Sequence, residues 1–134
     1  MYTIGIDVGT TNCKVCLFQV PSLDLIEQYS FRTAKLIDGD NTDFDVRLIW
    51  EGIVHGLKTI TGNRPDVTDI RAVAVASVGE AGVLLDEYDN IIGPSLTWYD
   101  TRPKRQLESI ISAVDVESIY EITGIPAHSN YSIN

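Results

Sequence analysis

Apolar and polar positions alternate through the first third of the chain and then change to a helical period. Ile4, Ile6 and Val8 alternate with Gly5 and Asp7, the period-2 pattern of a strand over residues 2–8. Residues 13–20 form a second strand that stops at Pro21 and Ser22. Residues 23–31 read as a third, antiparallel to the second, with one face in solvent. The stretch 36–45, with Gly39, Asn41 and four Asp, predicts a polar, mobile loop. Val46, Ile49, Trp50, Ile53, Leu57 and Ile60 then fall on one helical face. Asp43 or Asp45 is placed to cap that helix and Gly62 to end it. Arg47, Glu51, His55 and Lys58 face largely outward, which makes His55 a surface residue, and Pro65 and Asp66 belong to the following connection.

Residues 70–78 are small and apolar on both faces after Arg71, the pattern of a central strand covered on both sides and parallel to its neighbour. Strand, helix and buried strand make a βαβ unit, with the end of its last strand at the edge of a cleft. Gly79, Glu80, Ala81 and Gly82 sit at that end. A hairpin-like segment follows: residues 83–85, a turn over 86–90, and Ile91 with Ile92. After it, Thr101 is placed to cap a helix near Pro103 whose apolar face is Leu107, Ile110, Ile111 and Val114. A shorter helix runs from a cap at Asp115 through Val116, Ile119 and Tyr120 to Gly124. Residues 125–134 show no usable period, and no internal repeat occurs.

Composition narrows the class. A chain of 134 residues is one domain's worth and long enough to bury a core. Its 44% apolar and 22% charged residues suit a soluble globular protein. No apolar run is long enough to span a membrane, and the start enters a strand with no signal-peptide core, so a cytoplasmic protein is expected. The formal charge of −9 disfavours nucleic acid or an anionic membrane as the main partner, yet leaves room for a nucleotide held by local donors and a metal. Lys104 and Arg105 form too short a basic cluster to change that and read as solvated surface. Cys13 and Cys16 spell C-x-x-C, but residues three apart on a strand point to opposite faces. They are expected to be buried structural thiols.

Two constellations carry candidate chemistry. In the first, Gly9 allows positive φ and close approach of backbone to a ligand. Thr10, Thr11 and Asn12 bring side-chain donors beside backbone N–H groups, a combination suited to phosphate oxygens. Asp7 is a hard oxygen ligand of the kind Mg²⁺ accepts. An ordinary hairpin would use the same residues for turn chemistry. In the second, Glu80, Trp98, Asp100 and Arg102 offer two carboxylates, an indole face and a guanidinium, which suit a sugar or polyol. Taken singly, Trp98 reads equally as core, Asp100 with Arg102 as an ion pair, and Glu80 as turn surface.

The segment 4–18 resembles the first phosphate motif of the actin-like ATPase and sugar kinase superfamily: an apolar strand, D-x-G-T-T/S, and a Lys shortly after. It is most similar to the opening of the FGGY carbohydrate kinases. No Walker P-loop occurs, and the phosphate loop joins two strands. The resemblance implies an α/β fold, a ribonuclease-H-like (actin-like ATPase) domain whose mixed sheet has three antiparallel N-terminal strands followed by a βαβ unit. It implies ATP and Mg²⁺ as cofactors, with Gly9, Thr10, Thr11, Asn12 and Lys14 on the phosphates and Asp7 organising the metal. Glu80 resembles the acidic residue that binds substrate hydroxyls in the glycerol kinase branch, and Trp98 the tryptophan of the sugar pocket. Asp100 and Arg102 resemble the rest of that W-x-D-x-R motif.

Two departures limit what carries over. Gly79 stands where glycerol kinases have Arg, and Ser77-Val78-Gly79-Glu80 replaces the Gln-Met-His of xylulose kinases, so the acceptor stays unspecified. The resemblance covers nearly all of this chain but only the front of the family's first domain. The catalytic base is an Asp expected well downstream, so no catalytic residue is assigned here. Residues 1–134 are thus expected to be the incomplete N-terminal part of that domain, without the second domain. Alone they should be inactive and prone to aggregate through unpaired edges. The expected partner is a small-molecule sugar or polyol, with no nucleic acid or membrane and a homodimer as the candidate assembly. The alternatives are an actin-like ATPase with a switch or activator role, or a non-catalytic fragment of the same fold.

Overall fold

Alternation in the first third of the chain produces three successive antiparallel strands. In the computed structural model, which describes residues 1–62, 64–65 and 67–131, these are β1 (Tyr2–Val8), β2 (Asn12–Gln19) and β3 (Leu25–Arg32). Ile6 lies opposite Val15 and Ile4 opposite Leu17, while Val15 also faces Tyr29, so the apolar positions of all three strands share one face. Strand β3 starts later than its hydrophobicity suggests. Leu23 has a left-handed backbone (φ 62°) and belongs to a turn closed by Leu23 N–H to Gln19 O at 2.7 Å. Asp66 and residues 132–134 of the unassigned tail lie outside the described residues.

The polar stretch before the first helix is a hairpin and not an irregular loop. Strands β4 (Lys35–Asp38) and β5 (Asn41–Phe44) pair with each other, and Gly39 supplies the positive φ (57°) at the tip. Aspartate next to glycine is a turn signal in its own right, so the acidic composition marks the bend between two short strands. Helix α1 (Val46–Gly62) follows. Asp45 is its cap, accepting the Leu48 N–H at 3.0 Å, while Asp43 is engaged elsewhere.

Helix α1 lays Ile49, Ile53, Gly56 and Ile60 on the apolar face of β2 and β3, burying Val15, Leu17 and Cys13 completely. Each such aliphatic side chain contributes about 1.5–3 kcal/mol by leaving water. Two glycines set the distance of approach. A Cβ on Gly56 would lie 2.7 Å from Tyr29 and 2.9 Å from Val15, and one on Gly52 would lie 2.6 Å from Phe31 Cζ. Trp50, counted with the apolar face on spacing, is 64% exposed. At 100° per residue it lies beside the true stripe, which the two glycines narrow. His55 is an exposed helix residue and stacks edge-on to Tyr29 at 5.2 Å.

Strand β6 (Ile70–Ser77) runs parallel to β1, with Val73 opposite Ile4 and Val75 opposite Ile6, in a sheet ordered β3-β2-β1-β6. Its position corrects the expectation of a covered central strand. It lies at the sheet edge, α1 covers β2 and β3 instead, and all eight of its residues are exposed, Val75 by 65%. Its apolar sequence is therefore not matched by burial within this chain.

By contacts the chain forms two compact units, Met1–Lys35 with Phe44–Val78 and Leu36–Asp43 with Gly79–Asn134. In the second unit a bridge between Leu85 and Ile91 closes the hairpin-like segment. The Asp86 side chain accepts from the Asn90 side-chain amide and from the N–H groups of Asn90 and Tyr88, which lowers its carboxyl below its ordinary value. Helix α2 (Lys104–Ala113) has Pro103 at its N-cap with no side-chain cap, so the Thr101 hydroxyl does not serve there. Helix α3 (Val116–Thr123) is capped by the Asp115 carboxylate, which accepts from Ser118 N–H, and Gly124 closes it in the left-handed conformation.

Candidate functional site

The first constellation lies at the β1–β2 turn. Asp7 and Lys14 are directly opposed in the ladder, and the Lys14 Nζ is 3.6 Å from Asp7 Oδ2. Both side chains are about half exposed, so this ion pair is soft and either group can exchange its partner for a ligand. Alternation places both on the sheet face opposite the one that α1 covers. The turn closes by Gly9 N–H to Asn12 O at 3.2 Å. Gly9 does not use positive φ, contrary to the reading from sequence. Space demands it instead: a Cβ there would lie 2.7 Å from the Asn12 carbonyl oxygen and 3.9 Å from Asp7 Oδ1. Thr10 is half-buried, and Thr11 and Asn12 are exposed at the tip.

These residues fit a magnesium-bound polyphosphate in kind. One exposed carboxylate, one ammonium and a turn that excludes a side chain are what such a ligand asks of a protein, since Mg²⁺ keeps most of its shell as water and phosphate oxygen. Among the described residues no group of three or more His, Cys, Asp or Glu could hold a metal alone. The two cysteines stay free and face opposite ways. Cys13 is fully buried as expected, whereas Cys16 is only half-buried, and burial pushes its thiol up.

The second constellation lies in the other unit. Trp98 and Tyr99 are exposed and meet edge to face, with ring centroids 5.3 Å apart. Asp100 behaves differently from Trp98. Its side chain is 2% exposed and its carboxylate accepts from Arg102 N–H (2.8 Å), Arg102 Nε (2.9 Å), Arg102 Nη2 (2.8 Å) and Thr42 N–H (3.3 Å). The bidentate guanidinium outweighs the cost of burial and pulls the Asp100 carboxyl down to about 2. Arg102 in turn pairs with Asp43 and is held above its ordinary value. Thr97, also buried, donates both its N–H (3.3 Å) and its hydroxyl (3.1 Å) to Thr42 O. Asp100 and Arg102 thus tie the segment bearing Trp98 to the β4–β5 hairpin, and Asp100's oxygens are engaged within the fold.

Glu80 follows β6, exposed, with a left-handed backbone (φ 55°). A non-glycine residue there costs of order 1–3 kcal/mol, a cost that often marks a functional turn. Sequence reasoning missed two residues. Asp43 looks like a helix cap by spacing but is the partner of Arg102, 59 positions away. Thr33 is buried at 4% exposure behind the β1–β2 turn. No local pattern marks either, because their partners are distant in sequence.

Comparison with known proteins places the chain in a family. Residues 2–134 match the FGGY family of carbohydrate kinases, N-terminal domain. The chain is 27% identical over 128 residues to a gluconokinase of Bacillus subtilis, covering 95% of this chain and 25% of that protein. It is 29% identical over 124 residues to a xylulose kinase of Staphylococcus xylosus, covering 91% and 25%. The chain therefore spans about a quarter of the length of these relatives. In fold it is similar to the gluconate kinase of Lactobacillus acidophilus (TM-score 0.81, 24% identity, 96% of this chain and 26% of that one). The Plasmodium falciparum glycerol kinase solved with ADP gives TM-score 0.85 at 15% identity, over 98% of this chain and 27% of that one. With the match running from the first strand to the last residue, the chain belongs to the FGGY family of carbohydrate kinases, in the part described as its N-terminal domain.

Proposed function

We propose that this chain contributes the phosphate-binding hairpin and part of the acceptor pocket to an ATP-dependent carbohydrate kinase. The observation that carries the proposal is the β1–β2 turn, where Asp7, Lys14 and a side-chain-free Gly9 converge. Lys14 with the backbone and hydroxyls of Gly9 to Asn12 would hold the phosphates, and Asp7 would hold the water shell of Mg²⁺. Bound Mg²⁺–ATP supplies the phosphoryl group and the positive charge that stabilises its transfer. Glu80 accepts hydrogen bonds from acceptor hydroxyls, and the exposed Trp98 packs its indole against the C–H side of the sugar. Asp100 and Arg102 act behind Trp98, holding its segment in place.

Similarity to a gluconokinase and to xylulose kinases supports gluconate and xylulose as the first acceptors to try. Thermal-shift titration of the intact protein with Mg²⁺–ATP and with gluconate, xylulose and glycerol tests the reading. A stabilising shift with Mg²⁺–ATP and at least one acceptor is expected, and Asp7→Ala and Trp98→Ala should abolish the respective shifts. No shift with any of these ligands would sink it.

A further inference from the structure

We propose that Thr33 is a positioning residue for the β1–β2 turn, setting its peptide planes so that their N–H groups face an anion. The proposal rests on the phosphate reading of that turn.

Thr33 lies just past the end of β3 and is 4% exposed, so its polar groups need partners inside the protein. It spends them on the turn. Its N–H donates to Thr11 O at 2.9 Å, and its hydroxyl donates to Gly9 O at 2.7 Å. Cys13 Sγ lies 3.4 Å from the same hydroxyl oxygen. A hydroxyl has one proton, and that proton goes to Gly9, so the Cys13 S–H is the donor of this pair. A relay results, from buried thiol to buried hydroxyl to turn carbonyl. Ser30 supports it by donating to Cys13 O at 3.3 Å.

The consequence follows from peptide geometry. Among the described residues the cis peptide bond is Val20–Pro21, and the bonds through the turn are trans. In a planar trans peptide the N–H points opposite to the C=O. Holding the Gly9 and Thr11 carbonyls toward Thr33 therefore turns the Thr10 and Asn12 N–H groups to the far side. Two turn N–H groups facing away from the protein interior are donors that a phosphate oxygen can meet. A peptide flipped at Gly9 would instead present a carbonyl oxygen to the anion, and Gly9, lacking a side chain, is where a flip meets least resistance.

Two variants separate positioning from simple support of the fold. Thr33→Val keeps the branched shape and removes the hydroxyl; Thr33→Ser keeps the hydroxyl. Amide hydrogen exchange at Gly9 should accelerate roughly fivefold in Thr33→Val, as for a lost neutral hydrogen bond, while Thr33→Ser stays within about twofold of wild type. Titration calorimetry with Mg²⁺–ATP on the intact protein, well below the melting temperature, should show a Kd weakened roughly fivefold in Thr33→Val and restored in Thr33→Ser. A role confined to stability would lower the melting temperature of Thr33→Val and leave both readouts unmoved. That result overturns the proposal, as would a Thr33→Ser variant as weak as Thr33→Val. Failure of the wild type to bind Mg²⁺–ATP would overturn the phosphate reading itself, and the exchange rates alone would then decide whether Thr33 sets the turn.

Discussion

Gly9 and Asp100 show how single residues carry the two constellations. At Gly9 the Asn12 carbonyl oxygen occupies the approach to where a Cβ would sit, at 2.7 Å, and a backbone atom cannot step aside cheaply. Gly9→Ala should therefore destabilise the protein by about 1–3 kcal/mol, read from urea unfolding, as overpacking does elsewhere. An unchanged midpoint would show that the turn relaxes. Asp100 makes a prediction about pH. Its carboxyl titrates near 2 in the folded protein against an ordinary value near 4, so the folded state binds its proton less readily than the unfolded one. The stabilisation is fully present above about pH 4 and is lost as pH falls toward 2. It is worth of order 2 kcal/mol. Unfolding measured at pH 5, 4 and 3 should show this loss, and Asp100→Asn should lower stability at pH 5 and flatten the slope.

At the scale of elements, α1 illustrates how a rule of helix propensity is overridden. Glycine inside a helix is worse than alanine by about 1 kcal/mol, so Gly52→Ala and Gly56→Ala should stabilise an isolated α1. In the folded chain each new methyl would press on the rings of Phe31 or Tyr29. Overpacking of about 1–3 kcal/mol exceeds the propensity gain, and net destabilisation is expected. Gly62, at the end of the same helix, has nothing within 4 Å of its Cβ position, and Gly62→Ala provides the control. If all three variants melt together, close packing of α1 on β2 and β3 is not what the glycines serve.

For the whole molecule, the consequential feature is β6, an apolar strand exposed along its entire length. An edge of this kind pairs with other chains unless charge or cover prevents it. The net charge of −9 raises general repulsion, but β6 itself carries only Arg71. The 134-residue chain on its own should associate at micromolar concentration, seen as excess light scattering. Val75→Lys should reduce that scattering by placing a charge in the strand. A clean monomer by size exclusion with light scattering would count against this reading of β6.

Period-2 alternation was enough to locate β1, to within a residue or so β2, and the approximate course of β3, because a strand's faces are written in adjacent residues. Spacing likewise placed the α3 caps at Asp115 and Gly124, whose hydrogen bonds reach only a few residues. The family was legible from Asp7 to Lys14 for the same reason: one hairpin holds the whole motif. What tertiary structure decided depends on partners far along the chain. Asp43 reads as a helix cap by spacing, and only the fold pairs it with Arg102, 59 positions later. Val73 and Val75 read as core, yet burial depends on which face a helix covers, and α1 lies over β2 and β3. Thr33 has no signature at all. Its role exists only because the β2–β3 register brings the end of β3 behind a turn 24 residues earlier, where a buried hydroxyl finds the Gly9 carbonyl.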